Sequence, residues 1–345
     1  MLLSEIRAKI EGSEYDFLRN HPFLRDKIVM LAIGGSHAYG TAVEDSDLDV
    51  RGVAINTDSY ILTGRDFEQH VDTATDTTVY SFEKTVRLLC ECNPNVIELL
   101  GLKSEHYLML SGYGKLLLDN RQLFLSKRAV HTFGGYATAQ LRRLDNKAAR
   151  QSDQSTMEQH ILNSINNAAY VFKGRHAPMD TDGLKLYIDK SNQPGYDTEI
   201  FMDVNLRHYP LRDYTGMIAE MNAIIRQYGK FGRRNERAAT HNKLGKHMMH
   251  LIRLYLMCFD ILERGEIITC RENEHDFLME VRNGKYLDEN GQPVNEFYDI
   301  LRGYEEKLKY LKDHNDLPDH PDMDKVRKLV MDVNREIVLN PERSC

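Results

Sequence analysis

Residues 34–49 read GGSHAYGTAVEDSDLD and combine a double-glycine turn with a pair of aspartates. It follows a continuous apolar run at 28–33 (IVMLAI), which predicts a buried strand. It leads into a second predicted strand that runs from Asp47 to Ile55. Two consecutive glycines therefore end one strand, and two aspartates at i and i+2 begin the next.

The glycine turn predicts a phosphate contact. Gly34 and Gly35 present backbone N–H groups that no side chain obstructs, and Ser36 adds a hydroxyl. Turns of this kind can bind phosphate oxygens. We therefore expect these three residues to hold the phosphates of a nucleotide.

The aspartate pair predicts a metal site. Asp47 and Asp49 project to the same face of a strand, because strand side chains alternate. Their charges repel unless a cation lies between them. Carboxylate oxygens suit Mg²⁺, which also shares substrate phosphates. A phosphate-binding turn ahead of a metal-binding strand is typical of metal-dependent phosphoryl or nucleotidyl transfer.

The spacing also carries a family resemblance. Gly35-Ser36, ten intervening residues and Asp47-x-Asp49 resemble the signature of the DNA polymerase β-like nucleotidyltransferase superfamily. The fuller strings resemble the RlaP- or YcgL-type predicted nucleotidyltransferases within it. These strings are GGSHAYGT, SDLDVRG, NPNVIELL (93–100), FGGYATAQL (133–141), KHMMHLIRLY (246–255), ERGEI (263–267) and VRNGK (281–285).

The resemblance implies a third carboxylate on a neighbouring strand, which would complete the metal site and help to activate the acceptor hydroxyl. Candidates are Glu68, Asp72 and Asp76. Asp76 directly precedes the extended TTVY segment and matches the subgroup best, with Asp72 as the second choice. Asp76 could also simply begin that strand from a polar turn.

A basic stripe follows one face of a predicted helix at 238–264. Lys246, His250 and Arg253 share this face, and most other positions are apolar. A basic stripe is costly to bury unless anions meet it. We expect the three residues to contact the triphosphate or an acceptor phosphate. The alternative is an amphipathic helix with a solvated cationic face.

Composition places the chain among globular proteins. Its 345 residues are 41% hydrophobic and 28% charged, and the net charge of −7 excludes a generally basic nucleic-acid-coating protein. No apolar run reaches the roughly 20 residues that span a bilayer, and the N-terminus lacks signal-peptide order, so we expect a cytoplasmic protein without membrane contact. Five scattered cysteines predict reduced, non-catalytic thiols.

The pattern of elements predicts an α+β protein. We expect a polymerase-β-like catalytic domain at 1–120, with a mixed sheet and helices, and a mostly helical domain at 121–345. Predicted helices cover 126–150, 155–173, 213–228, 238–264, 274–283, 294–312 and 323–338, with an irregular insertion at 174–212 that is a loop or hairpin.

The predicted function is transfer of a nucleoside monophosphate from a nucleoside triphosphate, with ATP expected, to an acceptor hydroxyl, with release of pyrophosphate. Mg²⁺ or Mn²⁺ is the expected cofactor. The acceptor stays open among RNA, protein and small molecules. The alternative is a non-catalytic nucleotide- or partner-binding protein, such as an antitoxin, that keeps the fold. A metal phosphohydrolase ranks below both, because helical His-Asp metal clusters are absent from the sequence.

Overall fold

The computed structural model describes residues 1–137, 184–190, 198–204, 241–289 and 291–340, with short pieces at 141, 207–211, 214–215 and 218–219. The chain divides into two compact units. The first unit comprises Met1–Gln140, Lys246–Lys285 and Asn295–Cys345, and the second comprises Leu141–Gly245 and Tyr286–Val294. The boundary expected near residue 120 stays a prediction.

The first unit contains a five-stranded mixed sheet with the strand order β3-β4-β2-β1-β5. β1 is antiparallel to β2 and β5, β3 is antiparallel to β4, and β2 runs parallel to β4. A mixed sheet accompanied by helices confirms the predicted α+β class. The strands are β1 (Ile28–Ile33), β2 (Val50–Ala54), β3 (Gln69–Asp72), β4 (Thr77–Ser81) and β5 (Tyr107–Leu110).

The second strand begins later than the sequence predicts. The apolar run at 28–33 forms β1 as expected, and all of its residues are buried. β2 instead starts at Val50, so that Asp47 and Asp49 precede it. The reason is a tight turn immediately upstream, where Ser46 Oγ accepts a hydrogen bond of 2.8 Å from Val43 N. The buried side chains of Ser46, Leu48 and Val50 nevertheless alternate with the more exposed aspartates, as the strand pattern requires.

Short helices connect the strands, and local caps explain where they begin. Ser81 Oγ accepts from Lys84 N at 3.0 Å and starts one helix. Asn93 Oδ1 accepts from Asn95 N at 3.1 Å, with Pro94 in the first turn of the next helix. The helices of this part are α1 (Leu3–Glu11), α2 (Asp16–Asn20), α3 (Gly35–Tyr39), α4 (Asp58–Leu62), α5 (Phe82–Cys90), α6 (Pro94–Ile97), α7 (Gly112–Asp119) and α8 (128–137).

Longer helices dominate the C-terminal part, close to their predicted bounds. They are α9 (His241–Arg264), α10 (His275–Arg282), α11 (Asn295–Asp313) and α12 (Met323–Leu339). From Lys246 onward α9 belongs to the first unit, and its apolar side chains there are almost all buried. None of the helices in the described part of the chain is long and apolar enough to cross a membrane.

The second unit contains a two-stranded hairpin within the predicted insertion. Its strands, β6 (Leu184–Lys190) and β7 (Thr198–Val204), pair antiparallel from Leu184↔Val204 to Lys190↔Thr198. The helix predicted at 155–173, and nearly all of the one predicted at 213–228, lie outside the described residues.

Candidate active site

The register of the sheet brings three distant segments together. Ile33 pairs with Val50, and Val50 pairs with Thr77, so one row of residues crosses β1, β2 and β4. The next row contains Gly34, Asp49 and Asp76. Gly34 N donates to Asp49 O at 2.9 Å, and Val50 N donates to Asp76 O at 3.2 Å. The glycine turn and two of the predicted carboxylates therefore meet at one end of the sheet.

Gly35 lies directly against the Asp49 carboxylate. Its φ is +59°, in the left-handed region that glycine tolerates best. A Cβ at this position would lie 1.7 Å from Asp49 Oδ2 and 2.6 Å from Asp49 Cγ. The turn thus needs glycine both for its backbone conformation and for the space that the carboxylate occupies. Ser36 follows in α3 and is buried, and its phosphate contact stays a prediction.

Asp49 and Asp76 form an acidic pair with Arg51 between them. Arg51 Nη2 lies 3.3 Å from Asp49 Oδ1 and 3.3 Å from Asp76 Oδ1. Burial, and after it a hydrogen bond with the Asp76 carboxyl, raise the pKa of Asp49 to about 6, although Arg51 and Lys246 oppose the rise. Two carboxyl groups close enough to share a proton form a place where added positive charge is favourable.

Asp76 also has an unusual backbone. Its φ is +45°, which non-glycine residues rarely adopt and which aspartate tolerates better than most. Arg51 Nη1 donates to the Asp76 carbonyl at 2.7 Å and so holds this conformation in place. Strained backbone of this kind clusters at functional sites.

The other two candidates for the third carboxylate have different partners. Asp72 Oδ2 accepts from Thr75 N at 2.9 Å and from Thr75 Oγ1 at 2.7 Å, so it closes the turn between β3 and β4. Glu68 Oε2 lies 2.9 Å from Lys84 Nζ and 3.0 Å from Arg87 Nη2. Of the three candidates, only Asp76 shares a contact with Asp49, through Arg51.

The donor set fits a magnesium ion. Asp47 is exposed, and within the described ranges no three histidine, cysteine, aspartate or glutamate side chains gather into a metal cluster. Mg²⁺, however, commonly uses one or two protein carboxylates and completes its shell with water and substrate phosphates. Asp49 and Asp76 supply such a pair. The ligand role of Asp47 stays a prediction.

The basic stripe of α9 divides between two environments. Lys246 is exposed, and its charge reaches Asp49. His250 is half-buried beside Tyr136, with ring centroids 6.1 Å apart. Arg253 is only 1% exposed and lies away from solvent. This placement supports a phosphate contact for Lys246 better than for Arg253.

Arg253 meets a buried carboxylate that our sequence reasoning missed. Its Nη1 lies 3.2 Å from Glu98 Oε2, and its guanidinium stacks 3.6 Å over the ring of Tyr39. Tyr39 Oη donates to Glu98 Oε2 at 3.1 Å, and burial raises the pKa of Glu98. A lone glutamate within the apolar string VIELL was the available signal, because such a residue needs a buried partner. Arg51 was missed as well, although it continues the i, i+2 alternation of the two aspartates.

The sheet, the glycine turn and the acidic pair together define a nucleotidyltransferase-like domain. The chain belongs to the RlaP family, described as an RNA repair pathway DNA polymerase beta family, whose model matches residues 7–194, more than half of the chain. The suspected polymerase-β-like relationship is thereby confirmed. No curated protein and no solved structure matched the chain. The matched range ends before α9 and α10, so the family comparison does not cover Lys246, His250 or Arg253.

Proposed function

We propose that this protein is a metal-dependent nucleotidyltransferase that moves a nucleoside monophosphate from ATP to a hydroxyl group and releases pyrophosphate. The observation that carries the proposal is the approach of Asp76 to Asp49 beside the Gly34–Gly35 turn. The three segments come from different parts of the chain, and the strand register supports their meeting. Family membership supports nucleotidyltransferase chemistry in general.

The roles of the residues follow from their positions. Asp49 and Asp76 would hold Mg²⁺ or Mn²⁺, with Asp47 as the further ligand expected from the aspartate pair. When bound, the cation would polarise the phosphates and stabilise the charge that develops on them. Arg51 keeps the two carboxyl groups together, and Lys246 adds positive charge near Asp49. The Gly34–Gly35 backbone would face the phosphates without side-chain obstruction.

We propose the end of an RNA strand as the acceptor. The description of the matched family places it in RNA repair. The exposed Asp76 carboxylate supports access for a large acceptor, since its side chain is 61% exposed. It could accept the proton of an attacking hydroxyl, because general-base catalysis by a positioned carboxylate requires such access.

The test is transfer of label from α-³²P nucleoside triphosphates onto a defined oligoribonucleotide in the presence of Mg²⁺. Asp49→Asn and Asp76→Asn should each lower the rate by at least about 100-fold, because each removes charge from the metal site. Asp72→Asn and Glu68→Gln are matched controls and should leave the rate within about threefold. Equal loss in all four variants, or full transfer by Asp76→Asn, would contradict the assigned roles.

Binding without transfer is the competing function. The exposure of Asp47 and the absence of a three-residue metal cluster among the described residues favour it. Calorimetry with ATP and Mg²⁺ would separate the two functions. Tight binding of ATP with no labelled product on RNA, protein or small molecules would identify a nucleotide-binding protein, whereas labelled product would identify the transferase.

A further inference from the structure

Buried charges in the first unit do not balance. Among the described residues, the arginines and carboxylates that are buried there are Glu98, Arg253, Asp260, Arg271 and Arg282. Arg253 pairs with Glu98 at 3.2 Å, and Arg271 pairs with Asp260 in a short ion pair. This buried set therefore contains three arginines and two carboxylates, and Arg282 is the arginine that pairs with neither carboxylate.

Arg282 ends α10 and is 6% exposed. In the part of the chain that the structure describes, it forms no ion pair. Its Nη2 lies 3.5 Å from Ser46 Oγ, and its Nη1 is buried without a hydrogen-bond partner. Burial lowers the pKa of its guanidinium. A buried cation without a counter-ion is costly, and the carbonyl groups at the end of a helix offset only part of that cost.

Ser46 connects this arginine to the active-site loop. It precedes the Asp47-x-Asp49 segment directly, and its backbone lies near the ring of His37 in α3, where it opposes the lowering of the His37 pKa by burial. His37 Nε2 is buried and has no hydrogen-bond partner. Two buried nitrogen atoms without partners, from α3 and α10, therefore belong to residues on either side of Ser46: Arg282 contacts its hydroxyl, and His37 lies near its backbone.

We propose that Arg282, with His37, forms an anion subsite that binds one phosphate group of a substrate. The planar guanidinium matches phosphate oxygens in geometry and charge, and an anion there would supply the missing counter-charge. The identification of the phosphate as a substrate group rests on the proposed function, since the subsite adjoins the same loop. The phosphate can come from the nucleoside triphosphate or from an RNA strand, and both sources present the same chemistry.

Stability without ligand gives the first test. In phosphate-free buffer, Arg282→Gln should leave the melting temperature unchanged or raise it, because the variant removes an uncompensated buried charge. Arg271→Gln is the matched control. It should lower the melting temperature by roughly 10 °C, because it leaves Asp260 buried without its partner. A similar loss in both variants would show that Arg282 is an ordinary structural residue and would overturn the proposal.

Binding gives the second test. Inorganic phosphate should stabilise the wild-type protein progressively, and Arg282→Gln should weaken its apparent affinity at least tenfold. A 5′-phosphorylated and a 5′-hydroxyl oligoribonucleotide, together with ATP, then distinguish the source. An Arg282-dependent preference for the phosphorylated strand identifies the acceptor phosphate, and an Arg282-dependent effect confined to ATP identifies the donor. If no phosphate compound distinguishes Arg282→Gln from the wild type, the subsite does not exist.

These measurements separate the two proposals. Arg282-dependent phosphate binding without any nucleotidyl transfer would refute the proposed function and leave the subsite standing. Nucleotidyl transfer with equal phosphate binding by wild type and Arg282→Gln would refute the subsite alone.

Discussion

Replacing Gly35 with alanine tests the geometry of the candidate site most directly. The new Cβ would lie 1.7 Å from Asp49 Oδ2, where an ordinary contact needs about 3.5 Å. Either the carboxylate or the turn must therefore move by roughly 1.8 Å. The backbone of Asp49 is held by the bond from Gly34 N at 2.9 Å, so the side chain is the part that can rotate away.

The expected loss is large for activity and small for stability. A displacement of about 1 Å at a reacting centre can cost about 100-fold in rate, and we expect at least that for Gly35→Ala. The left-handed backbone adds a stability cost of about 1 kcal/mol for any residue with a Cβ. The two effects have different physical origins, so a second glycine can separate them.

Gly64 is the matched control. Its φ is +66°, close to that of Gly35, but a Cβ there would meet nothing within 4 Å. Gly64→Ala should therefore show the same stability cost of about 1 kcal/mol and keep the wild-type transfer rate. Urea unfolding measures the stability cost. Label transfer measures the transfer rate, and Mn²⁺ titration by electron paramagnetic resonance measures the affinity for the metal. Full activity and unchanged Mn²⁺ affinity in Gly35→Ala would refute the assignment of Asp49 to the metal site.

Two further predictions concern the interior. Glu98→Gln should lower the free energy of unfolding by roughly 3–5 kcal/mol because it leaves Arg253 buried without its partner, and the double variant Glu98→Gln/Arg253→Met should be more stable than the single one in urea titrations. A double variant no better than Glu98→Gln would show that the pair is not coupled. Burial raises the pKa of the Cys90 thiol to about 11, so stability should fall as the pH rises from about 9 to 11, where the unfolded thiol ionises and the folded thiol does not. Cys90→Ser should make this fall in the free energy of unfolding less steep than in the wild type, and an identical curve for both proteins would contradict the assignment.

Much of the fold is readable from the sequence because its signals are local. A six-residue apolar run predicts β1. Helical periodicity places the four C-terminal helices to within three residues. The start of β2 is the exception. A side-chain hydrogen bond of Ser46 forms the turn before it, and the alternation of apolar and polar residues gives no sign of that bond.

The sequence by itself determined that a glycine turn precedes a pair of carboxylates, because spacing along one segment is enough to show it. Among Glu68, Asp72 and Asp76 it favoured Asp76 only through the family resemblance, since each of the three is acidic and near a strand. The tertiary structure separates them through the register of β2 on β4, which sets Asp76 beside Asp49. Burial likewise separates the basic residues. Within the described ranges Arg253 pairs with a carboxylate and Arg282 with none, because the charge that surrounds a side chain depends on segments far away in the chain.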